Sequence, residues 1–149
     1  MSMMNEMIQS LLEEPDMIAA LGNVSACINE MYDRLNWAGF YLVKNGELVL
    51  GPFQGKTACT HISFQAGVCG ACYREKAVQR VDNVLERKDH IACDSASRSE
   101  LCVPVIVNGE CVAEIDLDSP EFCRFTEKEE KEMLQAARDI SEAWLKHQW

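Results

Sequence analysis

The run Leu101-Cys102-Val103-Pro104-Val105-Ile106-Val107, then Asn108-Gly109, then Cys111-Val112-Ala113-Glu114-Ile115-Asp116-Leu117 sets the frame for the whole chain. Two branched, apolar runs joined by Asn-Gly signal antiparallel strands, because the tight turn between them needs positive φ at both central residues. The pattern recurs upstream as Trp37-Ala38-Gly39-Phe40-Tyr41-Leu42-Val43, Asn45-Gly46 and Leu48-Val49-Leu50. A second hairpin is predicted there. Gly51, Pro52 and Gly55 predict a break before a short strand over 58–62. Gly67-Val68-Cys69-Gly70 opens a short helix through Lys76, and Ala77 to Val81 reads as one more strand.

Helical periodicity flanks this β-rich centre. Met17, Ile18, Leu21, Val24, Ile28, Met31 and Leu35 recur at three- and four-residue steps after Pro15 and Asp16, predicting an amphipathic helix over 16–35. Thr126 and Glu129 match a capping box, and Met133, Ala137, Ile140 and Trp144 carry the apolar face of a closing helix over 127–146. The expected class is α+β: an antiparallel sheet with N- and C-terminal helices packed on it. The 149 residues suit one domain over 1–149, without internal repeats or low-complexity segments. Residues 82–100 are polar and aperiodic, a long loop of the kind usually tied to function or disorder.

Composition excludes several function classes. With 14 basic against 24 acidic residues, the formal charge of −10 repels phosphate backbones and anionic membranes, so neither nucleic acid nor membrane is an expected partner. Met1 to Leu12 has neither a basic start nor a continuous apolar run, and no stretch approaches the roughly 20 apolar residues of a spanning helix. A cytoplasmic location is expected. In that compartment the 8 cysteines stay reduced by default, and a cysteine without further context is most simply a small buried hydrophobe.

Two sulfur clusters stand out. Cys93 follows His90 by three residues in the polar loop; a protonated imidazole would stabilise its thiolate, while the plainer alternative packs it inward beside Ile91. Cys69 and Cys72 form a Cys-x-x-Cys, either a redox pair or half of a metal site. Cys59, His61 and His90 could complete a zinc site, but their spacings fit no standard template. Glu114, Asp116 and Asp118 share one strand face, near Glu100 in sequence. A solvated face is the ordinary explanation. Carboxylates side by side repel, however, and a bound ammonium group or shared protons would relieve them.

The ordered blocks along the chain resemble the free methionine-(R)-sulfoxide reductases, which are stand-alone GAF domains. The resemblance runs through Asn36-Trp37-Ala38-Gly39-Phe40-Tyr41, Gly51-Pro52-Phe53-Gln54-Gly55-Lys56 with Ala58-Cys59, and Gly67-Val68-Cys69-Gly70. It continues through His90-Ile91-Ala92-Cys93-Asp94, Ser97-Arg98-Ser99-Glu100, Val103-Pro104, and Ile115-Asp116-Leu117-Asp118-Ser119 with Phe125-Thr126. It thus covers nearly the whole chain and implies a GAF-type sheet.

By that resemblance Cys93 is the catalytic thiol that reduces free methionine (R)-sulfoxide and becomes a sulfenic acid. Cys59 is the principal resolving thiol, Cys69 an alternative, and thioredoxin the external reductant. Glu100 and Asp118 would protonate the sulfoxide oxygen, Asp116 would hold the substrate ammonium, and Trp37 with Tyr41 would pack on the S-methyl group. No cofactor and no metal are expected, and a homodimer is an expected assembly. Two departures are visible: Asp89 where a glycine often precedes the His-Ile-Ala-Cys-Asp run, and Ala113-Glu114 where the family tends to have glycine and an apolar residue. The alternative function is a small-molecule or redox-sensing GAF binding module.

Overall fold

The structure, a computed structural model, describes residues 1–89, 93 and 95–149. Helices α1 (Met3–Leu11) and α2 (Met17–Met31) precede a hairpin of β1 (Trp37–Lys44) and β2 (Glu47–Gly55), then β3 (His61–Ile62). Helix α3 (Gly67–Glu75), β4 (Gln79–Val81), a 3₁₀ turn over Val84–Glu86, and a second hairpin of β5 (Ser99–Val107) and β6 (Glu110–Ser119) follow, before α4 (Glu127–His147). The strands form one antiparallel six-stranded sheet ordered β3-β2-β1-β6-β5-β4. Both Asn-Gly turns take the expected positive φ, 53° and 79° at Asn45 and Gly46, 52° and 81° at Asn108 and Gly109.

Strand alternation gives the sheet two unlike faces. Ala38, Phe40 and Leu42 of β1, Leu101, Val103 and Val105 of β5, and Ala113, Ile115 and Leu117 of β6 pack with α1, α2 and α4 in the main core. The intervening residues, Trp37, Tyr41 and Cys102 among them, point the other way and meet α3 through Val68, Cys69 and Cys72. The capping box of α4 forms as predicted, with Thr126 and Glu129 satisfying each other's backbone. The antiparallel α+β arrangement is therefore as the two hairpins predict.

Boundaries differ where polar or constrained residues act in three dimensions. Helix α1, absent from the sequence reading, buries Met4 and Ile8, and its Asn5 side chain donates to the Glu132 carbonyl of α4 at 2.9 Å. Its polar residues thus serve a neighbouring helix. Helix α2 ends at Met31 instead of residue 35, because Tyr32 turns extended and Leu35 reaches the core from the connection. Strand β2 continues through Gly51 and Pro52, where a break was expected. Proline is tolerated there because the pairing on that side, Leu48 and Val49 with β3 and the Leu50 N–H donating to the Thr60 carbonyl at 2.9 Å, stops short of residue 52 among the described residues. Part of the expected loop over 82–100 is tied down: Val84 is buried and its N–H donates to the Arg98 carbonyl at 2.9 Å.

Gly39 sits at the register shift between β1 and β2, and a Cβ there would lie 2.3 Å from the Phe53 Cβ and 2.8 Å from the Pro52 carbonyl. Gly39→Ala is therefore expected to lower stability by about 1–3 kcal/mol, the usual cost of overpacking. Urea denaturation followed by circular dichroism checks this, and an unchanged midpoint would contradict it.

Candidate functional site

Register places the site residues in rows across the sheet face that α3 partly covers. Trp37 of β1 pairs with Asp118 of β6, which pairs with Glu100 of β5. The next row is Gly39, Asp116 and Cys102, and the third is Tyr41, Glu114 and Pro104. Above the first two rows lies a pocket lined by Trp37, Tyr41, Cys69, Cys93, Glu100, Asp116 and Asp118, with the first turn of α3 along its wall. It holds about 570 Å³ of atom-free space, its open mouth included.

Aromatic packing shapes one wall. Trp37 stacks on Phe53, with ring centroids 5.1 Å apart, and on Tyr41 at 5.8 Å. The Tyr41 hydroxyl donates to the Cys59 carbonyl at 2.8 Å, so this residue both lines the pocket and fixes the segment that carries Cys59. Cys59 is in turn joined to Cys93 by a disulfide, with the two Cα atoms 5.4 Å apart. Both cysteines are half-buried, whereas Cys69, Cys72 and Cys102 are buried.

The carboxyl groups are not on a solvated face. Glu114 is 0% and Asp116 4% exposed, so the ordinary reading of that alternation is corrected: α3 covers them. Burial, with Asp116 and Asp118 nearby, pushes the Glu100 carboxyl well above its usual range. Burial also raises Asp116, against the lowering effect of its hydrogen bond with Glu100. Both shifts favour the protonated form of this carboxyl pair over two neighbouring anions. Burial pushes Glu114 up to about 8, although Cys102 donates to its Oε1 at 3.2 Å. Two buried polar atoms of pocket residues have no hydrogen-bond partner, the Trp37 indole Nε1 and Asp116 Oδ1. One is a donor and one an acceptor, the complement expected by a zwitterion.

A GAF domain family model matches residues 24–144. The chain is 42% identical to the free methionine-R-sulfoxide reductase of Escherichia coli strain K12, over 85% of this chain and 77% of that one. It belongs to the free methionine-R-sulfoxide reductase family of GAF domains. It is also 45% identical to Protein YtsP of Bacillus subtilis strain 168, covering 88% and 82% of the two chains. The fold superposes with a TM-score of 0.94 on the free methionine-R-sulfoxide reductase from Neisseria meningitidis in complex with its substrate. That pair is 36% identical, with 97% and 88% of the two chains covered.

Within this GAF domain, Cys93, Cys69, Glu100, Asp118, Trp37, Tyr41 and Asp116 meet at one pocket, and Cys59 is bonded to its rim through Cys93. The zinc set considered from sequence does not assemble around Cys59, which is spent in the disulfide, while exposed His61 pairs with Glu47 through Nδ1 at 2.7 Å. His90 lies outside the described residues, with Ile91, Ala92 and Asp94. Sequence reasoning gave no role to Cys102 or Glu114. Their signal was the strand alternation, which puts both on the Asp116 face.

The folded chain keeps the Glu114 proton to about pH 8, whereas an unfolded glutamate loses it near 4.5. Between these values the folded state binds more protons than the unfolded state, so stability falls as pH rises. Glu100 and Asp116 shift in the same direction. Chemical denaturation in the presence of a chelator is expected to show stability declining from pH 5 to 8, by at most about 1.4 kcal/mol per pH unit for each group. Glu114→Gln should flatten part of that slope, and an identical slope in the variant would refute the assignment.

Proposed function

We propose that this protein reduces free L-methionine (R)-S-oxide to L-methionine with Cys93 as nucleophile and Cys59 as resolving thiol. The observation that carries the reading is the convergence of Cys93, Glu100 and the unpartnered Asp116 Oδ1 on one pocket. The names of the Escherichia coli and Neisseria meningitidis relatives point to the same substrate class.

The chemistry follows from those positions. The Cys93 thiolate attacks the sulfoxide sulfur while Glu100, with Asp118 beside it, protonates the oxygen as its charge develops. The substrate S–O bond breaks, methionine leaves, and the oxygen remains on Cys93 as a sulfenic acid. The Cys59 thiol then attacks the Cys93 sulfur, water departs, and the Cys59–Cys93 disulfide forms. The existing bond between these two residues supports that step. A dithiol reductant of the thioredoxin type returns both thiols by exchange.

The same pocket favours a free amino acid. Asp116 receives the ammonium group, and the first turn of α3, capped by no side chain, offers backbone N–H groups to the carboxylate. Trp37 and Tyr41 pack against the S-methyl group. A peptide-bound methionine sulfoxide lacks both charges.

The test supplies purified protein with each sulfoxide epimer of free methionine, thioredoxin and its reducing system, and follows reductant consumption. The R epimer should be preferred and Cys93→Ser should abolish turnover; activity without epimer preference, or intact activity in Cys93→Ser, would overturn the reading. Glu100→Gln is expected to lower kcat by roughly 10²-fold or more, the contribution of a positioned acid. Cys59→Ser should release one equivalent of methionine per chain from the reduced protein in a single-turnover assay and recycle slowly; loss of that first equivalent would remove Cys59 from the resolving role.

A further inference from the structure

Against the floor of the pocket lies a sulfur-rich cluster that begins at the pocket-lining Cys69. The Cys102 Sγ of β5 is 3.8 Å from the Cys69 Sγ of α3 and 3.2 Å from Glu114 Oε1 of β6. The donor atoms of Cys69, Cys102 and Glu114 all lie within 4.8 Å of one another. Cys72, one helical turn after Cys69, is also fully buried and interacts with both Cys102 and Glu114.

This cluster is poorly satisfied by its own members. Glu114 is 0% exposed, yet its Oε1 receives only a thiol, a weak donor, and its Oε2 has no hydrogen-bond partner. A buried carboxyl so placed lacks the partner that would offset its desolvation. Two thiols and one carboxyl from three elements are, by contrast, donor chemistry suited to a borderline-soft dication. A tetrahedral zinc with Zn–S bonds of about 2.3 Å requires neighbouring sulfurs about 3.8 Å apart. The Cys69–Cys102 separation already has that value.

We infer that Cys69, Cys102 and Glu114 form a buried Zn²⁺ site at the floor of the substrate pocket. Binding displaces thiol and carboxyl protons and joins α3 to β5 and β6. The alternative set of Cys69, Glu100 and Asp116 fits less well, because its two carboxyls are pocket groups and it offers one sulfur. The site takes in neither Cys59 nor Cys93, although its Cys69 lines the substrate pocket and donates to Glu100 Oε2 at 3.8 Å. It also engages Cys69, leaving Cys59 as the thiol free to resolve Cys93.

The full-length protein, reduced with a phosphine and stripped by chelator, is titrated with Zn²⁺ against a chromophoric chelator and, separately, with Co²⁺. One zinc per chain and a near-ultraviolet thiolate-to-cobalt band are expected. Cys102→Ala and Glu114→Gln should each weaken zinc binding by more than the roughly 10–100-fold that loss of an outer partner costs. Far-ultraviolet circular dichroism checks that each variant is folded, and the near-isosteric Glu114→Gln keeps the test decisive if Cys102→Ala unfolds. Cys59→Ser and Cys93→Ser should bind zinc as the parent does. Absence of zinc binding by the folded, reduced parent, binding without a thiolate band, or loss of binding in Cys59→Ser with retention in Glu114→Gln would each overturn the inference.

Discussion

A carboxyl group removed from water must keep its proton or acquire a cation, and this chain buries Glu114 and Asp116 on one sheet face while α3 closes over them. Much of the site follows from that constraint. Burial, with Asp116 and Asp118 beside it, raises the Glu100 carboxyl and so favours its protonated form. Asp116 keeps one buried oxygen without a hydrogen-bond partner, open to a donor from outside the fold. The cost in stability is borne by the opposite face, where the main apolar core joins α1, α2 and α4 to the same strands.

The two faces of the sheet therefore divide the labour, and one backbone detail links them. Gly39 lets β2 approach β1 closely at the register shift, with Phe53 seated where a side chain would stand. That placement brings Phe53 under Trp37, and Trp37 in turn stacks on Tyr41, whose hydroxyl holds Cys59. A missing Cβ in a strand thus reaches the Cys59–Cys93 disulfide through three aromatic rings. The adjacent Phe40, buried on the other face, anchors the same strand in the core.

Much of this was legible in the sequence. Both hairpins follow from Asn-Gly and alternating apolar residues, and α4 from its capping box, because those signals are local. Helix α1 was not legible, since Asn5 and Gln9 look like solvent residues until α4 supplies their partners. Alternation alone put Glu114, Asp116 and Asp118 on one face but could not say whether water or α3 covered it. Composition likewise could not sort the cysteines. Cys69 and Cys102 are 33 residues apart, and only the packing of α3 on β5 brings their sulfurs together.

Burial explains how the sulfurs divide between two kinds of chemistry. A thiol that exchanges with an external reductant must be reached by it and must ionise. Cys59 and Cys93 are half-buried at the pocket rim, and their bond already shows that they approach each other within disulfide distance. Cys69 is 6% exposed; hydrogen bonding with Cys102 favours its thiolate, but burial beside Asp116 and Glu100 outweighs this and raises it. Cys102, fully buried, is raised in the same direction by desolvation and by its sulfur neighbours. Negative charge around these inner thiols disfavours a second anion, so they are poor partners for exchange. A dication reverses the sign of that field, and the same crowding then becomes affinity. Cys59 and Cys93 lie where an external thiol can reach them, whereas burial holds the inner thiols in their neutral form.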